Sequence, residues 1–164
     1  MKLFARERTG TILTLLLIIL LGYFSITIKI IVVSGNSMYP TLNDREIVFA
    51  KKNPSKISEG EIIIFRINDE VFIKRVIATH GSNVKIDGET DKIYINGVET
   101  IYSVSISDGT VKEIIIPENK FFVIGDNHNE SIDSRNEIIG LIDISAIEAV
   151  CIQITRNSRL NYSH

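Results

Sequence analysis

Hydrophobic and polar positions divide the chain into two unlike parts. Residues 9–28 form one apolar block without a formal charge, and after Lys29 the pattern breaks into short β-branched runs separated by turn residues. The first pattern predicts a membrane-length helix, since about twenty residues at about 1.5 Å each match a hydrocarbon core of about 30 Å. The second predicts a β-rich domain with few helices. Strands are expected over 30–33, 46–51, 61–66, 71–78, 83–87, 92–95, 111–116, 121–124 and 138–154, the last broken in two. Turn chemistry separates them at Asn43-Asp44, Asn53-Pro54, Asp69-Glu70, Asp87-Gly88, Asn96-Gly97, Asp108-Gly109 and Pro117-Glu118. Of these, Asn96-Gly97 is the best hairpin signal.

This gives four stretches: residues 1–8 on the cytoplasmic side, an anchor over 9–29, a single β-rich domain over 30–155 and a polar tail over 156–164. Lys2, Arg6 and Arg8 precede the apolar block against a lone Glu7. By the positive-inside rule the N-terminus stays in the cytoplasm and everything after Lys29 lies outside, with Lys29 snorkelling to the outer interface. A cleavable secretory signal is the rival reading. Against it, the small-residue exit is missing, and the run continues through Ile30-Ile31-Val32-Val33.

Composition narrows the partners. A net charge of −2 with 23% charged residues offers no basic tract to neutralise nucleic-acid phosphates, so nucleic acid is not an expected partner. The lone Cys151 cannot close an intrachain disulfide, and no Cys/His set has metal-ligand spacing. No cofactor is expected. Cys151 reads as a small core residue in Ala149-Val150-Cys151-Ile152.

The chemistry concentrates in three places. Ser34-Gly35-Asn36-Ser37-Met38-Tyr39-Pro40-Thr41-Leu42 follows the apolar block and offers Ser37 as a nucleophile, which requires a base within reach and donors for an oxyanion. The run Val71-Phe72-Ile73-Lys74-Arg75-Val76-Ile77 inserts two cations into an apolar strand. They point to opposite faces, so at least one faces apolar neighbours. An edge strand with a protective lysine accounts for this; so does a desolvated Lys74 acting as base, its amine brought to a pKa of about 8 by burial. His80 and His128 are rival bases, each in a polar turn composition that suits a surface histidine. After the apolar strand 121–124 comes a polar stretch, residues 125–135, in which Ser131 can offer its hydroxyl to the amine while Asp133 and Arg135 pair to hold the loop.

With these three stretches and the anchor in the same order, the sequence resembles the type I signal peptidases, membrane-anchored Ser-Lys endopeptidases that remove signal peptides from exported proteins. Ser34 to Leu42 resembles the family's nucleophile box and Lys74-Arg75-Val76-Ile77 its lysine box. Gly125-Asp126-Asn127 with Ser131-Ile132-Asp133-Ser134-Arg135 and the later Gly140 resembles its third box. The resemblance implies that Ser37 attacks the scissile carbonyl, Lys74 takes its proton, Ser131 orients the lysine, and Asp133 with Arg135 braces the site. Met38 would sit beside the pocket, and Pro40 would shape the turn behind the nucleophile. The implied fold is mainly β, with coiled antiparallel sheets after one transmembrane helix and an apolar surface that meets the lipid bilayer. The implied substrates are signal-peptide-bearing preproteins carrying Ala-x-Ala before the cut, taken as an added strand, with residues 30–34 and the strand around Lys74 as walls. The implied place is the plasma membrane, single-pass, with the catalytic domain outside. Two features depart from the family. Gly35 stands where some members carry an oxyanion hydroxyl, leaving backbone, water or Ser34 as second donor; and Ala78-Thr79-His80-Gly81-Ser82 replaces the usual continuation of the lysine box. The separation of Lys74 from Gly125 resembles the compact Gram-positive form. A self-cleaving Ser-Lys fold and a silent signal-peptide binder are the alternative functions.

Overall fold

A computed structural model describes residues 2–103 and 111–152 of the chain, with side chains from Gly10 onward. The turn expected at Asp108-Gly109 and the polar tail over 156–164 lie outside the described residues. Helix α1 (Lys2–Thr27) carries an apolar window, Gly10–Thr27, with mean hydropathy 2.1 and none of it buried in the protein. That window carries no formal charge on any side, as a helix covered by lipid requires, and by length and composition it can cross a bilayer. The hydroxyls of Thr14 and Thr27 turn back onto the carbonyls of Gly10 and Tyr23.

Strand β1 (Ile28–Val32) begins with no residue between it and the helix. The strands that follow are β2 (Ile47–Lys52), β3 (Ile62–Ile67), β4 (Glu70–Ala78), β5 (Asn83–Asp87), β6 (Lys92–Ile95), β7 (Val98–Ser103), β8 (Val111–Ile115), β9 (Lys120–Ile124), β10 (Ile142–Asp143) and β11 (Ile147–Cys151). A larger sheet has the order β1-β2-β11-β3-β4-β9-β10 and a smaller one β7-β6-β5-β8, with every pairing antiparallel. The fold is therefore mainly β, as the pattern of short runs predicts. One core fills the larger sheet, around Phe65, Val76, Val123 and Ile142. A second joins Val84, Ile86 and Ile93 of the smaller sheet to Ala78, Phe122 and Ile124 of the larger.

Three expectations from sequence change here. Strand β4 is not an edge: it lies between β3 and β9, so a protective edge lysine does not account for Lys74. Strand β7 is not among the expected strands, because its polar Thr100 and its Tyr102 turn inward while Val98 and Ile101 stay exposed, the reverse of the usual alternation. The Asn96-Gly97 turn nonetheless announces it: both residues have positive φ, 51° and 81°, as a two-residue hairpin requires. Within the run 138–154, Ile138 is exposed, Gly140 turns the chain at φ +56°, and only two short strands form. Between them Asp143 caps a 3-10 turn (Ile144–Ala146) by accepting from the Ser145 N–H at 2.9 Å.

Candidate active site

The loop after β1 is closed by backbone bonds at its neck, Val33 N–H to Glu46 O at 2.8 Å and Arg45 N–H to Val33 O at 2.9 Å. Met38, 1% exposed, packs with Val33, Leu42 and Val48 and roots the loop in its own small core. Gly35 sits at φ +86°, a left-handed conformation that favours glycine, and donates its N–H to Asp44 Oδ1 at 2.8 Å. These constraints hold Ser37 half-buried, facing β4.

Lys74 lies in β4 opposite Ile63 and is only 4% exposed. Its Nζ is 2.7 Å from Ser37 Oγ. Burial pushes the amine down to about 8; Asp133 opposes that shift, Arg135 assists it, and Asp126 opposes it again. The adjacent Arg75 points the other way. Its Nε and Nη2 donate to the two carboxylate oxygens of Asp126 at 2.7 and 2.5 Å, Nη1 to Gly60 O at 2.7 Å, and Nη2 also to Thr41 Oγ1 at 3.3 Å. A planar fork suits this task, because it binds a carboxylate with two bonds and keeps its proton.

The segment after β9 closes the site from a third side. Asn127 N–H donates to Ser37 O at 3.0 Å, and a Cβ on Gly125 would lie 2.5 Å from that same carbonyl oxygen and 2.6 Å from Ser131 Cβ. Only glycine fits between them. The side chains of Asp133 and Arg135 are both buried and make two parallel hydrogen bonds, Arg135 Nε to Oδ1 at 2.7 Å and Nη2 to Oδ2 at 2.9 Å. Asp133 Oδ2 also accepts the Gly125 N–H at 3.0 Å, and Arg135 reaches Ser103 O and His128 O. The pair expected to hold the loop is thus inside it and ties it to β7. Ser131 Oγ is buried against Gly125 without a hydrogen-bond partner, so the bond expected from this hydroxyl to the Lys74 amine is not formed.

His80 is exposed, and His128 is half-buried with Nδ1 3.2 Å from Gly125 O and its ring edge-on to Tyr102 at 4.9 Å. Neither hydrogen-bonds to Ser37. Among the described residues no group of three or more His, Cys, Asp or Glu is placed to hold a metal. Cys151 packs in the core, and burial pushes its thiol up to about 11. A groove of about 710 Å³ runs from Ser37 and Lys74 between β1 and the first half of β4, with Ile31, Val33, Met38 and Ile73 among its apolar lining.

The family described as "Signal peptidase, peptidase S26" matches residues 6–154, nearly the whole chain. The chain belongs to this family. Among S26 relatives, signal peptidase I S of Bacillus subtilis is 38% identical over 124 residues, covering 64% of this chain and 65% of that protein, just under two thirds of its length. Signal peptidase I T of the same organism is 34% identical over 166 residues, covering 84% and 82%. A crystal structure of a signal peptidase I from Enterococcus faecalis is similar at 27% identity and a TM-score of 0.46, covering 60% of this chain and 98% of that one. Sequence reasoning about this S26 chain leaves two features unassigned, the Arg75–Asp126 fork and the close fit of Gly125 on Ser37. The second cation of β4 is the available signal for the fork; nothing local marks its partner, 51 residues away.

Proposed function

We propose that this chain is a membrane-bound serine endopeptidase that removes N-terminal signal peptides from exported proteins, with Ser37 as nucleophile and Lys74 as general base. The observation that carries the reading is the 2.7 Å approach of a buried lysine amine to a serine hydroxyl at the end of an open groove. An unperturbed lysine is neutral in roughly one molecule in two thousand near pH 7; at a pKa of about 8 the free base is a usable fraction. In that form the Ser37 O–H donates to the amine, the oxygen attacks the scissile carbonyl, and Nζ holds the proton and then delivers it to the leaving amine. Water then attacks the acyl-serine, the lysine again taking the proton.

The Ser37 N–H is one donor for the oxyanion. The Gly35 N–H is committed to Asp44, so the exposed Ser34 hydroxyl beside the groove is the second. Ile31, Val33 and Ile73, which line the groove, are the walls against which the small side chains of Ala-x-Ala before the cut would pack. Helix α1 anchors the enzyme with its N-terminus in the cytoplasm, placing the β-domain, and the cut, at the outer face of the plasma membrane. Asp133 and Arg135 hold the loop behind the amine, and Met38 seats the nucleophile.

The test is turnover by the full chain in detergent of a peptide carrying Ala-x-Ala after an apolar segment. Its kcat/KM should rise with pH through about 8 as Lys74 loses its proton. Binding without turnover supports a silent signal-peptide binder instead, and a flat profile between about pH 6 and 9 removes the lysine base.

A further inference from the structure

The groove changes character along its length. Near Ser37 it is lined by the apolar Val33, Met38 and Ile73 together with Ser34, Asn36 and Lys74, whereas Lys29 and Arg66, both ion-paired to Glu148, line it farther along. Lys29 lies on β1, Glu148 on β11 and Arg66 on β3, so the three side chains tie together strands that span half of the larger sheet. Arg66 Nε donates to Glu148 Oε1 at 2.8 Å, and the two cations hold the Glu148 carboxyl below its ordinary range, Lys29 contributing most. Lys29 also stands two residues beyond the end of α1, where Lys52 Nζ donates to the helix carbonyl of Ser25 at 2.8 Å. The ionic end of the groove is therefore fixed at the height where the apolar helix stops.

We propose that the Lys29–Glu148–Arg66 set is a specificity element that rejects apolar side chains in the substrate segment just upstream of the small residues at the cut. This rests on the peptidase reading. A preprotein's apolar segment leaves the bilayer at the same height as α1, so it enters the groove at the Lys29 end and runs toward Ser37. Arg66 pairs with Val71, three residues before Lys74, and Lys29 precedes Val33 by four. At about 3.3 Å per residue, an extended peptide spans these offsets with three to five of its own residues. A leucine at about the fourth or fifth upstream position would then lie on the ion set, strip water from it and give it no partner, whereas serine or glutamine leaves it hydrated or bonded. The enzyme thereby reads where the substrate's apolar stretch ends. The small-residue pockets read a different property, side-chain size.

The experiment compares kcat/KM for peptides with serine or leucine at the fourth, fifth and sixth upstream positions, keeping Ala-x-Ala constant. Wild-type full-length chain in detergent should prefer serine by about tenfold or more at the fourth or fifth position, a difference of about 1.4 kcal/mol. The variant Lys29→Met/Arg66→Met/Glu148→Leu, in which apolar groups replace the ions, should narrow the preference to about threefold or less while still rejecting a large residue immediately before the cut. Glu148→Gln alone, a milder change, leaves two cations without their carboxylate and should raise the rate for a glutamate at that position relative to serine. Equal cleavage of serine and leucine peptides by the wild type, or full discrimination in the triple variant together with no gain for glutamate in Glu148→Gln, overturns the inference. Failure of the wild type to cut any of the peptides is a different result: it removes the peptidase reading itself.

Discussion

The two faces of β4 carry neighbouring cations in opposite electrostatic states. On one face Lys74 is buried and its amine meets a serine hydroxyl but no carboxylate within bonding distance, so its charged form is disfavoured. On the other, Arg75 spends its guanidinium on both oxygens of Asp126 and on the loop oxygens of Gly60 and Thr41. Burial is common to both. What separates them is the side chain together with its partner: a guanidinium keeps its charge and is held by a carboxylate in contact, whereas a buried amine that meets only a hydroxyl can give up its proton. A single strand thus supplies the proposed base and, one residue later, the clamp that joins the Ser37 loop, the entry to β3 and the segment after β9.

The sharpest way to break this contrast is to make the first face like the second. Lys74→Arg keeps the charge and removes the ability to lose it, and turnover should fall by about 10³-fold or more. Retained turnover would transfer the role of base to His80 or His128. Next is the clamp. Asp126→Asn leaves a mostly buried guanidinium without its carboxylate, with an expected loss of about 3 kcal/mol in unfolding free energy. Because Thr41 and Asn127 both belong to segments that position Ser37, kcat should fall by about 10²-fold as the nucleophile shifts. The remaining activity should begin at lower pH, since Asp126 is one of the groups that help Lys74 keep its proton. An unchanged kcat would show that the two faces are independent.

Much of this arrangement is legible in the amino-acid sequence, for a reason that differs from residue to residue. Lys74 stands out because a cation in an apolar strand violates the local pattern, and Ser37 because it lies in a polar, turn-rich stretch directly after an apolar block. The β-rich class follows from run length and turn residues. Arg75 stands out equally, yet its function depends on a partner that only tertiary packing brings near. The inverted faces of β7 hide that strand, although the turn ahead of it is plain. Gly125 illustrates a further limit: its necessity comes from a carbonyl of Ser37 and the side chain of Ser131 pressing from two sides, and no local sequence pattern records such an approach.

Burial of Lys74 predicts a stability signature separate from catalysis. With its folded-state value at about 8, below the ordinary 10.5, the unfolded chain binds more protons between those two pH values. Stability should therefore rise with pH across that window, and the penalty of the buried ammonium should be complete below about 8. Lys74→Met removes the group and should abolish the rise, leaving a variant more stable than wild type by at most about 3 kcal/mol near neutral pH. Denaturant unfolding in detergent at several pH values measures this directly. Parallel curves for the two proteins would mean that the amine is better solvated than its 4% exposure implies.

The smallest expected effect is the most informative about Ser131. Its hydroxyl is buried and bonds to nothing, while the amine it was expected to orient is engaged with Ser37. A buried hydroxyl without a partner costs about 1–3 kcal/mol, so Ser131→Ala should leave stability unchanged or slightly raised. If this arrangement persists through turnover, the same variant should lose no more than about tenfold in kcat, because the orientation of Lys74 comes from β4 and from Ser37 rather than from Ser131. A loss of about 10²-fold or more with stability intact would place the hydroxyl on the amine in the acylation state, when the Ser37 oxygen has left Nζ to bond carbon. In that case Ser131 takes over the lysine at the step where the nucleophile can no longer hold it, and the two faces of β4 differ in a second respect: Arg75 keeps its partners throughout, whereas Lys74 exchanges one hydroxyl for another.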